Sequence, residues 1–150
     1  MRCYPSVVKV LRHVMRNINE FNVPAGDAHG YQILYFGVNL ILMFDYRLSF
    51  DVEVKSSQAN GGQIEVVIIS RKDVPSWKSN GSDAENIMLH YSSSGGRINH
   101  IFKPSVSDAY AFILSNRSST NGNAQTKTVE ATLVHTWEQE IKDSQLKNRL

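Results

Sequence analysis

Between residues 48 and 55 apolar and polar side chains alternate without a break. Leu48, Phe50, Val52 and Val54 stand against Ser49, Asp51, Glu53 and Lys55. A period of two belongs to a strand with one dry face and one wet face. Residues 31–36, 40–44, 63–70, 87–91, 98–102, 109–115 and 126–135 read as further strands. In 63–70 the residues Ile64, Val66, Val67, Ile68 and Ile69 crowd together, as expected of a β-branched central strand. The last strand turns Val129, Ala131 and Leu133 inward against Thr128, Glu130 and Thr132. Short polar connections separate these runs. Gly37-Val38-Asn39 is a turn or a bulge, Ser92 to Gly96 closes an expected hairpin between 87–91 and 98–102, and Asn121-Gly122 suits a tight turn. Regular spacing of this kind predicts an antiparallel β-sandwich of about seven or eight strands.

The two ends of the chain read differently. Val7, Leu11, Val14 and Ile18 recur at helical spacing, with Val8 and Met15 widening the stripe and Pro5 at a first-turn position. Residues 6–18 are therefore expected to form an amphipathic helix, with Lys9, Arg12, His13 and Arg16 on its other face. The turn cluster at 22–27 marks the change of period. Residues 136–150 are charged and weakly helical, with Trp137, Ile141 and Leu146 available to dock. The expected organisation is an N-terminal helix over 1–20, a sandwich over 21–136 and a helical tail over 137–150.

Composition narrows the classes. Of 150 residues, 41% are hydrophobic and 20% charged, values of a folded globule. The formal charge of +2 supplies no strong field, so no nucleic-acid partner is expected. Basic residues Arg2, Lys9, Arg12 and Arg16 do cluster near the start, which leaves weak contact with a membrane surface open. The most apolar stretch, 33–44, is about a dozen residues and contains Gly37 and Asn39; a spanning helix needs roughly 20. Residues 7–14 are interrupted by Lys9, Arg12 and His13, unlike the apolar run of a signal peptide. Cys3 is the only cysteine, so no disulfide can form within one chain. A reducing, cytoplasmic compartment is favoured for the chain as it stands, and a lumenal or extracellular one if it is part of a longer protein.

No reactive constellation stands out. The five histidines, His13, His29, His90, His100 and His135, lack metal-ligand spacing, although His90 and His100 would face each other across the expected hairpin. No nucleophile-elbow or phosphate-loop motif is present, and Asp51 with Glu53 reads as the wet face of one strand. Neither a cofactor nor a metal is expected, and no enzymatic activity. A loop tryptophan, Trp77, beside Pro75 and Lys78, is the candidate binding anchor, joined by Arg97 next to Gly95-Gly96. A tryptophan folded back over the sandwich is the alternative reading of Trp77. Asn80-Gly-Ser82 and Asn116-Arg-Ser118 fit a glycosylation sequon.

Several of these segments together resemble a GOLD-type β-sandwich. They are Val23-Pro-Ala-Gly26, Gly37-Val-Asn-Leu40, Gln63-Ile-Glu-Val-Val-Ile68, Ile101-Phe-Lys-Pro104, Asp108-Ala-Tyr110, Phe112-Ile-Leu-Ser-Asn116 and Lys127-Thr-Val129. The resemblance spans residues 22–137 and implies a protein- or lipid-interaction module without catalysis. Asp108-Ala109 stands where that family carries glycine, and the family's cysteine pair is missing. Three functions follow. The first is a non-catalytic protein-interaction module, self-associating or bound to another protein. The second is a small-ligand, carbohydrate or lipid binder, and the third a self-assembling coat or virion subunit.

Overall fold

The computed structural model describes residues 8–26, 30–55, 64–81, 86–93, 95–117 and 126–142. Eight strands run in chain order: β1 (Val8–Val23), β2 (Tyr31–Val38), β3 (Phe44–Val54), β4 (Ile64–Ser70), β5 (Leu89–Ser93), β6 (Arg97–Phe102), β7 (Asp108–Ser115) and β8 (Lys127–Lys142). They form two four-stranded sheets, β1-β8-β3-β6 and β2-β7-β4-β5, antiparallel throughout. Every connection except β4 to β5 carries the chain from one sheet to the other. That is the winding of a double-sheet jelly roll.

The alternating residues of β3 explain the interior. Leu48, Phe50 and Val52 are buried and meet Val66, Ile68, Phe112 and Leu114 from the opposite sheet. From β8, Val129, Ala131 and Leu133 close the same layer. Burying each large aliphatic or aromatic side chain contributes about 1.5–3 kcal/mol.

A second apolar layer lies outside the β2-β7-β4-β5 sheet. After a 3-10 turn at Arg71–Asp73, helix α1 (Val74–Asn80) folds over the sheet's outer face. Pro75 occupies its first turn, where the missing N–H costs nothing. Val67, Ile69, Ala111 and Ile113 pack there against Val74 and Trp77. Strands β4 and β7 are thus dry on both faces, which is why their sequences read as continuous apolar runs rather than alternating ones.

Several expectations are corrected. The segment expected as an amphipathic helix is strand β1 from Val8 onward; residues 6 and 7 lie outside the described residues. Val8, Val10, Val14 and Ile18 are β-branched, and β8 offers a partner of equal length, so pairing outweighs the helical spacing. The expected C-terminal helix is likewise strand up to Lys142, and residues 143–150 lie outside the described residues. Residues 40–43 form a turn in which Met43 N–H donates to the Asn39 carbonyl (2.8 Å). Ile41 and Leu42 there are exposed. Strands β5 and β6 do not form a hairpin, because β5 pairs with β4 and β6 with β3 in the other sheet. His90 accordingly meets Glu65 (3.0 Å), while His100 stacks on Tyr91 (3.6 Å between centroids).

Candidate functional site

Strand β1 is an edge. Its register with β8 is unbroken over its whole length, from Val8 opposite Lys142 to Val23 opposite Lys127. It holds no proline or bulge; the edge-blunting device it does carry is charge, at Lys9, Arg12, Arg16 and Glu20.

The direction of its backbone groups follows from the far side of β8. Lys55 N–H donates to the Thr128 carbonyl (2.7 Å), so Thr128 turns its peptide groups toward β3. Asn22, opposite Thr128, therefore turns its own away from β8. Gln32 confirms this by donating through Nε2 to the Asn22 carbonyl (3.3 Å). By alternation, Val10, Arg12, Val14, Arg16, Ile18 and Glu20 also point N–H and C=O to the free side.

The side chains of the same residues stand on the outer face of the sheet. Val10, Val14 and Ile18 are 56%, 63% and 56% exposed. Met15, on the inner face, is 46% exposed where the strand overhangs the core. Four apolar side chains on one exposed edge, flanked by Arg12, Arg16 and Glu20, form an amphipathic rim. Of the expected basic cluster, Arg12 and Arg16 lie here and are exposed; Arg2 lies outside the described residues.

Aromatic rings anchor the strand at the overhang. His13 stacks on Trp137 (5.2 Å, 12°), and Trp137 leans on Tyr46 (6.5 Å). Phe36 packs on both Tyr46 and His135. His13 Nε2 is buried with no hydrogen-bond partner among the described residues. Next to the cluster lies a small cavity of about 110 Å³ lined by Arg12, Asp45, Arg47, Thr136, Trp137 and Glu138. A drug-sized ligand occupies roughly 300 Å³ or more, so this cavity suits at most a few waters or an ion.

The three side chains expected to bind are not brought together. Trp77 is buried, edge-on to Tyr31 (5.4 Å), with the Arg117 guanidinium over its ring (4.7 Å). Arg117 also donates to the carbonyls of Trp77 (3.2 Å) and Lys78 (2.9 Å), satisfying the end of α1. Lys78 Nζ sits over Tyr31 (5.4 Å). Arg97 is on the other sheet, paired twice with Asp51 (3.1 and 2.8 Å), which raises its pKa. Trp77 thus serves the second apolar layer, the alternative reading of that residue. Sequence reasoning missed β1 as an edge, though its density of β-branched residues carried a strand signal.

Among the described residues no three or more His, Cys, Asp or Glu side chains are placed to hold a metal ion. No helix among them is long and apolar enough to cross a membrane.

No family model and no curated protein matches this chain. Among solved structures, a chain from Bacillus endospore appendages, which form a family of disulfide-linked pili, superposes with a TM-score of 0.51 at 12% identity. The match covers 91% of this chain and 96% of that one. A chain from Desmodium yellow mottle tymovirus superposes with a TM-score of 0.36 at 9% identity, over 94% of this chain and 95% of that one. The likeness to the Bacillus chain is a likeness of fold.

Proposed function

We propose that this chain is a non-catalytic structural subunit that assembles with copies of itself. The observation that carries the reading is the free edge of β1: sixteen residues of unbroken strand with exposed Val10, Val14, Met15 and Ile18. A long edge without proline or bulge is a template for another strand, here with exposed apolar residues between its charges.

The pilus-forming Bacillus chain supports this reading, since a protein of the same fold assembles into fibres.

Light scattering coupled to size exclusion tests the proposal across a concentration series. The expected result is a mass above that of one 16.9 kDa chain, rising with concentration. A single-chain mass at every concentration, up to about millimolar, would sink it.

A further inference from the structure

Resting on that reading, we infer that two copies pair antiparallel along β1 about a two-fold axis passing through Ile18, joining two four-stranded sheets into one. A two-fold contact requires a self-complementary surface, so the sequence of β1 can be tested against itself.

Each register is set by the residue on the axis. With Ile18 there, Ile18 meets Ile18 of the second copy, and Arg16 meets Glu20 on both sides. Val14 meets Asn22. On the other face Met15 meets Phe21, and Asn17 meets Asn19. Every charge inside the overlap faces its opposite. The residues meeting on the outer face are those whose N–H and C=O groups point to the free side, as a hydrogen-bonded ladder needs.

Other registers match charge less well. An axis at Glu20 sets that residue against itself, one at Arg16 does the same although it also brings Arg12 opposite Glu20, and one at Val14 sets Arg12 against Arg16. Axes at Met15, Asn17 or Asn19 leave Arg16 and Glu20 opposite apolar or amide side chains. Like charges directly opposite destabilise a strand pair, whereas opposite charges stabilise it.

The remaining sheet edges are poorer candidates. Strands β5 and β6 span five and six residues, and β2 spans eight with its exposed Tyr35 covered by Arg71 (4.6 Å). Among the described strands, only β1 combines length, an unbroken register and charge self-complementarity.

Charge reversal in the full chain tests the register. Arg16→Glu places two carboxylates opposite each other at both ends of the pair, and should weaken dimerisation about tenfold or more. Glu20→Arg should do the same with two guanidinium groups. The double variant Arg16→Glu/Glu20→Arg should restore the wild-type mass at the same concentration. Circular dichroism on each variant separates lost pairing from lost folding.

A covalent arm is independent of charge. In a Cys3→Ser background, Ile18→Cys sits on the axis and should form a disulfide-linked dimer under mild oxidation. Asn19→Cys faces Asn17 of the second copy and should not, because its own counterpart is beyond disulfide reach. Oligomers that persist through both charge reversals, without Ile18→Cys cross-linking, would overturn this pairing and leave self-assembly standing. A chain that is monomeric throughout would remove both.

Discussion

Tyr46 Oη and Nδ1 of His135 share a hydrogen bond of 2.5 Å, joining β3 to β8 inside the sandwich. Both side chains are buried, Tyr46 at 2% and His135 at 5% exposure. Burial lowers the His135 pKa below its ordinary value, and raises that of Tyr46. Burial therefore favours the neutral imidazole in the fold, held to the tyrosine hydroxyl through Nδ1.

Stability should consequently depend on pH in a definite direction. Above the ordinary histidine pKa of 6.5, His135 is neutral whether folded or unfolded and contributes no slope. Below it, the unfolded chain takes up a proton that the fold resists, so stability falls as pH falls. Thermal unfolding followed from about pH 7.5 to about pH 5 should show a falling Tm. His135→Leu should flatten that slope, whatever it does to the absolute Tm. An unchanged slope in the variant would assign the effect elsewhere.

His13 makes the opposite case. Its ring stacks on Trp137, yet Nε2 is buried and unpaired among the described residues. A buried polar atom without a partner costs about 1–3 kcal/mol. His13→Phe keeps a ring on Trp137 and removes that atom. A rise in Tm of about 2–4 °C is expected for each 1 kcal/mol recovered, measured by calorimetry. A fall would mean that Nε2 has a partner after all.

Trp77 and Arg97 should separate cleanly under alanine substitution. Trp77 is 2% exposed beneath Arg117 and beside Tyr31, so Trp77→Ala should cost about 3–5 kcal/mol. Arg97 is 61% exposed and its ion pair with Asp51 is open to water. Surface pairs contribute little, so Arg97→Ala should leave the Tm within error. Denaturant titration of both variants beside the parent chain would decide. A stable Trp77→Ala variant would return this tryptophan to the surface.

How far the chain could be read in advance depended on the range of the forces involved. The alternation from Leu48 to Val54 is local, and β3 follows it residue by residue. The doubled apolar pattern of β4 marked a central strand because burial on both faces writes itself into every position. Strand β1 was illegible for the reverse reason. Its helical spacing is a local signal, and what overrides it is β8, more than a hundred residues away. Ser92 to Gly96 looked like a hairpin turn, but the partners of β5 and β6 are chosen by β4 and β3. The candidate site shares this limit. Which strand lies at an edge is a property of the sheet order, and no residue of β1 encodes it alone.

The two-sided burial of β4 gives a last test of the architecture. Ile68 points into the sandwich beside Phe112 and Leu114, and Ile69 points outward beneath α1. Both are 0% exposed. If α1 covers that outer face as described, Ile68→Ala and Ile69→Ala should each cost about 2–5 kcal/mol, because each leaves a cavity among fixed neighbours. The two losses arise in different layers, with β4 itself between them, so the double variant should lose close to their sum. A sheet wet on its outside would behave otherwise: Ile69→Ala would be nearly silent and only Ile68→Ala would register. Chemical denaturation of the two single variants distinguishes these outcomes. Near-equal losses identify the helix-covered layer as a second core, and that layer is what keeps Trp77 from the surface.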